Sequence, residues 1–282
     1  MDPGAKVESM NGNIALITGA SSGIGAEFAR QLAGQGYSLV LAARRKNKLE
    51  ALALEIQDKN QVNVEILPAD LSTEGGIQIV EKCIGELERL ELLVNNAGYG
   101  ITGRFYQSDI ERQLQMIHVH VIASVRLARA ALPQMVLRGR GGIINVSSMS
   151  AFVPSAGVTY SSTKAYLVKF SQALQYDLEG TGVRVQALCP GLTYSEFHGT
   201  PEYSRFNREQ IPSFLWLSAE TVVSESLRDL ERGKVICIPG RIYRLVKSLS
   251  TGWLTGTLVD AGARRVLKHR RYANINDGSK SL

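Results

Sequence analysis

The stretch "NIALITGASSGIGAEFARQLAGQG" runs from Asn13 to Gly36, and its reading decides the fold. Its opening, "NIALITGA" (13–20), is a short apolar run ending in glycine, the pattern of a buried strand. Its close, "AEFARQLAGQG" (26–36), has helical spacing, with Gly34 and Gly36 near the stop. Between them "TGASSGIG" (18–25) carries glycines at 19, 23 and 25. Glycine permits a tight turn and lets the backbone approach a pyrophosphate. The helix N-terminus behind the loop offers free N–H groups and a partial positive charge to an anion. A glycine cluster alone is weak evidence. A strand before it and a helix after it make the signal strong.

Outward from this unit the pattern repeats. "YSLVLAAR" (37–44), "VNVEILPAD" (62–70), "LELLVNNAG" (90–98), "GGIINVSS" (141–148), "VRVQALCPG" (183–191) and "KVICIPG" (234–240) read as strands. Helical spacing fills the intervals 46–60, 76–89, 110–136, 160–179 and 218–232. Strands that are nearly continuous in apolar residues and alternate with helices predict a parallel sheet covered on both faces. Right-handed crossovers then give an α/β, doubly wound, Rossmann-like parallel sheet of about seven strands in a single domain. That domain is expected over 12–240. A flexible segment (1–11) precedes it, and a basic helical C-terminal extension (241–282) comes after it.

Composition narrows the function. The chain has 282 residues, 21% charged and 44% hydrophobic, ordinary for a globular protein. Cys83, Cys189 and Cys237 lie far apart, without disulfide or metal spacing, as expected in a reducing compartment. The net charge of +6 is unevenly placed: from Arg241 onward there are nine Lys/Arg against two Asp. The basic character therefore belongs to the tail, and no nucleic-acid partner is expected. The start shows no basic-then-apolar leader, and no apolar run reaches the roughly 18 residues of a membrane span. A cytoplasmic location is therefore expected.

The second strand selects the cofactor. NAD-binding versions of this loop place an acidic residue about 20 positions on, against the ribose hydroxyls. Here that region reads Ala43, Arg44, Arg45. No carboxylate repels a 2′-phosphate, and two guanidinium groups can clamp one, so NADP(H) is expected.

The motifs "TGASSGIG" (18–25), "NNAG" (95–98), "NVSS" (145–148), "YSSTK" (160–164) and "PGLTYS" (190–195), in this order and at these separations, resemble the classical short-chain dehydrogenases/reductases. The resemblance covers about residues 12 to 240. It implies that Gly19, Ser21, Ser22, Gly23, Ile24 and Gly25 line a pyrophosphate and that Asp70 and Leu71 meet an adenine. Asn96, Ala97 and Gly98 would support the adenosine ribose and the central sheet. Pro190, Gly191, Leu192 and Ser195 would position the nicotinamide amide. Tyr160 is implied as general acid/base, with Lys164 on the nicotinamide ribose and lowering the tyrosine pKa. The residue types suit the chemistry. Hydride transfer to a carbonyl leaves charge on oxygen that must be protonated. A free phenol has a pKa near 10, and an ammonium one helical turn away favours its phenolate.

Two positions depart from the family pattern. The family places its serine about thirteen residues before the tyrosine, which is Ser147 by count, whereas the "SS" motif selects Ser148. Side chains of neighbouring strand residues point to opposite sides, and Ser148 is taken as the residue that orients the carbonyl. In "MIHVHVIA" (116–123), His120 stands where the family has an asparagine that holds a water leading from the lysine to solvent. Two readings stand open. His120 takes over that relay, because imidazole donates, accepts and titrates near neutrality, or it is a packed helix histidine.

Substrate is expected outside the carboxyl ends of the strands. The segment "EFHGTPEYSRFNREQIPSFLWL" (196–217) reads as a lid rich in large apolar groups: Phe197, Tyr203, Phe206, Phe214, Leu215 and Trp216. It suits an apolar ketone or secondary alcohol, fatty-acyl, steroid-like or aromatic. Equally, these groups could pack the lid onto the body. The tail, with Trp253 and many Arg/Lys, reads as an amphipathic helix for peripheral membrane contact or as a helix packed near the pocket or a dimer contact. The resemblance also implies a homo-oligomer. The expected function is an NADP(H)-dependent oxidoreductase acting on CH–OH/C=O. The alternative is an NADP-binding scaffold or sensor with weak or no catalysis.

Overall fold

The structure, a computed structural model, describes residues 12–153, 157–199 and 208–251. The loop of "NIALITGASSGIG" joins β1 (Ile14–Thr18) to α1 (Gly23–Gly34). The remaining units alternate as expected. β2 (Ser38–Ala43) leads to α2 (Lys46–Asn60), and β3 (Val64–Pro68) to α3 (Glu74–Glu86). β4 (Leu90–Asn95) precedes α4 (Ile110–Ile117) and α5 (Ala123–Leu137). β5 (Gly141–Val146), α6 (Val158–Asp177), β6 (Val183–Leu188), α7 (Ala219–Glu231), β7 (Ile236–Cys237) and α8 (Arg241–Thr251) complete the order.

One seven-stranded sheet results, in the order β3-β2-β1-β4-β5-β6-β7, with every pair parallel. The sequence turns back on itself between β1 and β4, and that reversal opens a crevice at the carboxyl ends of these strands. Both faces are covered. Along β1, Ile14 and Leu16 join the core beneath α3 and α5, while Ala15 and Ile17 join the core beneath α1, α2 and α7. The strict alternation of a two-residue repeat thus feeds two separate cores from one strand. Phe28, from α1, is the largest fully buried side chain among the described residues.

Helices α3 and α7 start where short polar residues take up their leading amides. Thr73 Oγ1 accepts from Gly76 N at 3.1 Å ahead of α3, and Ser218 Oγ accepts from Thr221 N at 3.1 Å ahead of α7. The long helix expected over 110–136 is interrupted: His118–Ile122 forms a π-helical turn between α4 and α5. Such a turn inserts one residue into the helical repeat and rotates the helix beyond it. The final strand is shorter than expected, because Pro239 lacks the N–H that a longer pairing needs. Among the described residues no helix is long and apolar enough to cross a membrane. The expected flexible start (1–11) and most of the basic tail (252–282) lie outside the described residues.

Candidate active site

The phosphate loop is braced from β4. Gly19 has φ +66°, and a Cβ there would lie 2.8 Å from Ala97 Cα. A Cβ on Gly25 would meet Asn96 Nδ2 at 2.4 Å. Both positions therefore exclude a side chain, one by conformation and contact, the other by contact alone. Asn96 Nδ2 donates to Thr18 O at 2.8 Å and Gly19 O at 3.2 Å. The amides of Asn96 and Ala97 both donate to Thr18 Oγ1 at 3.0 Å. Sequence reasoning did not single out Thr18, whose hydroxyl ties two strand ends together. Ile24 packs onto the core beneath α1.

Ser22 stands at the N-cap of α1 without capping it by its side chain, and the first turn holds no acidic residue. The serine hydroxyls face Arg45 instead. Arg45 Nη2 donates to Ser22 Oγ at 2.7 Å and to Ser21 Oγ at 2.9 Å, and its Nε donates to Ser21 Oγ at 3.2 Å. Arg44 is exposed, and its side chain makes no hydrogen bond or ion pair among the described residues. The two expected guanidinium groups thus differ, and only Arg45 is folded against the loop. Glu196, with Arg45 Nη1 at 2.9 Å and Lys48 Nζ at 2.5 Å, completes this cluster. Asp70 holds its own turn, its Oδ1 accepting from Ser72 N at 3.0 Å and Ser72 Oγ at 2.8 Å. Leu71 is buried in the core, so any contact from it to a ligand comes from its backbone. A glycine-rich loop, a helix N-terminus not capped by a side chain and a guanidinium beside them fit a dinucleotide.

The second cluster gathers at the ends of β5 and α6. Lys164 is buried, donates from Nζ to Val146 O at 2.8 Å, and sits 5.6 Å from the Tyr160 ring centroid. The two serines part company here. Ser147 Oγ donates to Lys164 O at 2.6 Å and is buried under the helix. Ser148 Oγ accepts from Ser150 N at 3.1 Å, and its hydroxyl lies near enough to the Tyr160 phenol to favour the phenolate. The structure therefore brings Ser148, not Ser147, to the tyrosine. Burial pushes the Tyr160 phenol up to about 12, while the neighbouring Ser148 hydroxyl pulls it down. Burial also lowers Lys164 to about 7. The lysine was expected to draw the phenol toward neutrality. In this arrangement burial dominates both groups, raising the phenol and lowering the ammonium, because each loses its hydration.

His120 lies in the π-helical turn, fully buried. Its Nε2 accepts from Tyr99 N at 3.2 Å, which places the ring proton on Nδ1 and directs it to Thr163 Oγ1 at 2.9 Å. Thr163 Oγ1 in turn donates to Tyr160 O at 2.9 Å. Burial first, and then the charge of Lys164, hold His120 well below the usual histidine range. It packs edge-on against Tyr160 at 5.6 Å. A Cβ on Gly98 would come within 2.8 Å of His120 Nε2 and 3.4 Å of Lys164 Nζ. His120 thus sits beside the lysine, as the motif alignment expects. It does so as a neutral ring with both nitrogens engaged, not as a group titrating near neutrality. His118, two residues earlier, lies near Glu74.

The "PGLTYS" loop is held by elements far away in sequence. Pro190 O accepts from Met149 N at 2.9 Å. Leu192 N donates to Tyr243 Oη at 2.9 Å, Leu192 O accepts from Leu217 N at 2.9 Å, and Tyr243 Oη donates to Leu215 O at 2.5 Å. A Cβ on Gly191 would lie 2.0 Å from Tyr243 Cζ, so this glycine makes room for an aromatic ring from α8. Tyr243 carried no sequence motif. Ser195 packs over the phosphate loop, its Cβ 3.0 Å from where a Gly23 Cβ would be. Of the apolar lid groups, Phe197 lies 5.9 Å from the Tyr160 ring, Trp216 stacks on Tyr194 at 5.2 Å, and Phe214 is exposed. The described part of this segment thus packs both onto the body and against Tyr160. Tyr203 and Phe206 lie outside the described residues.

The doubly wound sheet, the glycine loop and a Ser148–Tyr160–Lys164 cluster with a buried tyrosine and lysine define a nucleotide-binding α/β protein. Residues 13–202 match the family model described as short chain dehydrogenase, and the chain belongs to that family. The chain is similar to the short-chain dehydrogenase from Sphingobium yanoikuyae solved in complex with NADPH, with 32% identity and a TM-score of 0.76, covering 96% of this chain and 98% of that one. It is similar also to the bulky-bulky ketone specific alcohol dehydrogenase from Comamonas testosteroni, with 28% identity and a TM-score of 0.73, over 92% and 94% of the two chains. Among curated relatives it is 34% identical over 182 residues to the inactive hydroxysteroid dehydrogenase-like protein 1 of Homo sapiens, covering 64% of this chain and 55% of that one.

Proposed function

We propose that this protein is an NADP(H)-dependent oxidoreductase that interconverts a bulky apolar ketone and its secondary alcohol. The observation that carries the reading is the meeting of Ser148, Tyr160 and Lys164 across the crevice from an Arg45-lined phosphate loop. Gly19, Gly23 and Gly25 would hold the pyrophosphate, Arg45 the 2′-phosphate, and the 190–195 loop the nicotinamide end. When bound, the dinucleotide supplies or accepts the hydride. The rest of the chemistry belongs to the chain. Ser148 Oγ orients the substrate oxygen, and Tyr160 gives that oxygen its proton as the carbonyl carbon gains hydride. A phenol near 12 is protonated throughout the physiological range, which suits the acid needed for reduction. Phe197 beside Tyr160 offers an apolar wall for the substrate.

The scaffold alternative draws on His120 in place of the family asparagine and on the inactive human relative. One screen separates the two. NADPH consumption is measured with bulky aromatic, steroid-like and 3-oxoacyl ketones, beside Tyr160→Phe. Turnover abolished in the variant supports the oxidoreductase. Tight NADPH binding without turnover on any ketone supports the scaffold. A homo-oligomer and peripheral membrane contact through 241–282 complete the proposal. For the latter, α8 exposes Ile242, Leu245 and Leu249 on a helix that also carries Arg241, Arg244 and Lys247.

A further inference from the structure

The place beside Arg45 is filled by a carboxylate of the chain itself. Glu196 is 151 residues from Arg45 in sequence and 148 from Lys48. It opens the short turn Glu196–Gly199 directly after the "PGLTYS" loop. Its Oε2 accepts from Arg45 Nη1 at 2.9 Å, and its Oε1 accepts from Lys48 Nζ at 2.5 Å. The remaining nitrogens of Arg45 rest on Ser21 and Ser22 of the phosphate loop. One anion is therefore bracketed by a guanidinium and an ammonium, beside two hydroxyls. These are the surroundings a phosphate monoester requires.

The seat is strong enough to keep Glu196 ionised and weak enough to be vacated. Its hydrogen bonds to Lys48 and Arg45 hold the carboxyl down to about 2. All three side chains are nonetheless well exposed, at 52%, 45% and 39% for Glu196, Arg45 and Lys48. Ion pairs this open to water contribute little net stability, and a phosphate with up to two charges competes well for the same cations.

We propose that Glu196 is an internal stand-in for the cofactor's 2′-phosphate, that Lys48 joins Arg45 as its second cationic ligand, and that NADP(H) must displace the Glu196 carboxylate to take this seat. Glu196 is then a specificity-determining residue that weakens NADP(H) binding and leaves NAD(H), which has no 2′-phosphate, nearly untouched. The displacement also reaches the reaction centre, because the next residue, Phe197, packs against Tyr160. This rests on the NADP(H) assignment above.

The test is equilibrium binding to the full-length, cofactor-free protein. NADPH and NADH are titrated by nicotinamide fluorescence, and 2′-AMP and 5′-AMP by calorimetry. Releasing two exposed pairs predicts that Glu196→Gln binds NADPH and 2′-AMP about tenfold tighter, with NADH and 5′-AMP little changed. Lys48→Ala is expected to bind NADPH and 2′-AMP about tenfold more weakly. Glu196→Gln that binds NADPH no tighter than the unaltered protein overturns the stand-in. Unaltered protein that binds 2′-AMP no better than 5′-AMP, and NADH as tightly as NADPH, rejects instead the NADP(H) reading on which it stands.

Discussion

Replacing Lys164 by methionine should make the cofactor-free protein more stable while abolishing its chemistry. Lys164 is 4% exposed, and its Nζ has a single hydrogen bond, to Val146 O at 2.8 Å. Burial moves its pKa from 10.5 to about 7. At about 1.4 kcal/mol per unit, that displacement amounts to about 5 kcal/mol, most of which opposes folding at pH 7. Methionine keeps the length of the side chain and carries no charge. It leaves Val146 O without its donor, at a cost of about 1–3 kcal/mol. The expected net gain is about 2 kcal/mol at pH 7. The pH dependence carries the sign. Between about 7 and 10.5 the unfolded chain holds the lysine proton and the folded chain does not, so stability rises with pH in that window. Lys164→Met lacks this rise. The buried thiols Cys83 and Cys189 are pushed from 9.0 up to about 12, so they act in the opposite sense as pH passes the ordinary thiol range. Comparing the two proteins at each pH cancels that contribution. Equilibrium urea denaturation from pH 7.0 to 8.5 should show the variant's advantage shrinking by about 1–2 kcal/mol across the range. A variant less stable than the unaltered protein at pH 7, with a parallel pH profile, would falsify the view of Lys164 as a buried cation held for chemistry.

Other substitutions probe the neighbouring groups. Ser148→Ala is expected to lower kcat by about a hundredfold with stability nearly unchanged. Ser147→Ala should instead lower the denaturation midpoint by removing the buried bond to Lys164 O, with kcat largely kept; the reverse pattern would exchange the two roles. Tyr243→Phe leaves Leu192 N without its acceptor and should raise the KM for NADPH about three- to tenfold, while calorimetric binding of 2′-AMP stays the same. Equal losses for both ligands would mean that Tyr243 merely supports the fold. His120→Asn should leave the pH–rate profile in place, since the ring is neutral with both nitrogens engaged. A shifted profile in that variant would put the imidazole back into the proton path.

Much of the site was legible because its logic is local. The strand, glycine loop and helix of 13–36 are neighbours in sequence, and glycine is demanded there by turn and contact geometry. Tyr160 and Lys164 were legible because a helix places residues four apart on one face. The choice between Ser147 and Ser148 needed the structure. Which hydroxyl turns toward the tyrosine depends on where the backbone of α6 passes, and Lys164 O takes the other one. The state of His120 was likewise hidden. Its type predicts a group titrating near neutrality, whereas its burial, the amide of Tyr99 and the hydroxyl of Thr163 decide otherwise.

By itself the sequence determined the order of elements, the phosphate loop and the Tyr–Lys pair, since periodicity and spacing act within a few residues. Only the tertiary structure decided that Arg45 and not Arg44 turns onto the loop, that Glu196 fills the place beside it, and that Tyr243 clamps the 190–195 backbone. Each of these contacts joins residues from 23 to 151 positions apart. Charge and aromatic rings at such separations meet only after the sheet has stacked its strand ends along one crevice. No local pattern encodes which of them arrives there.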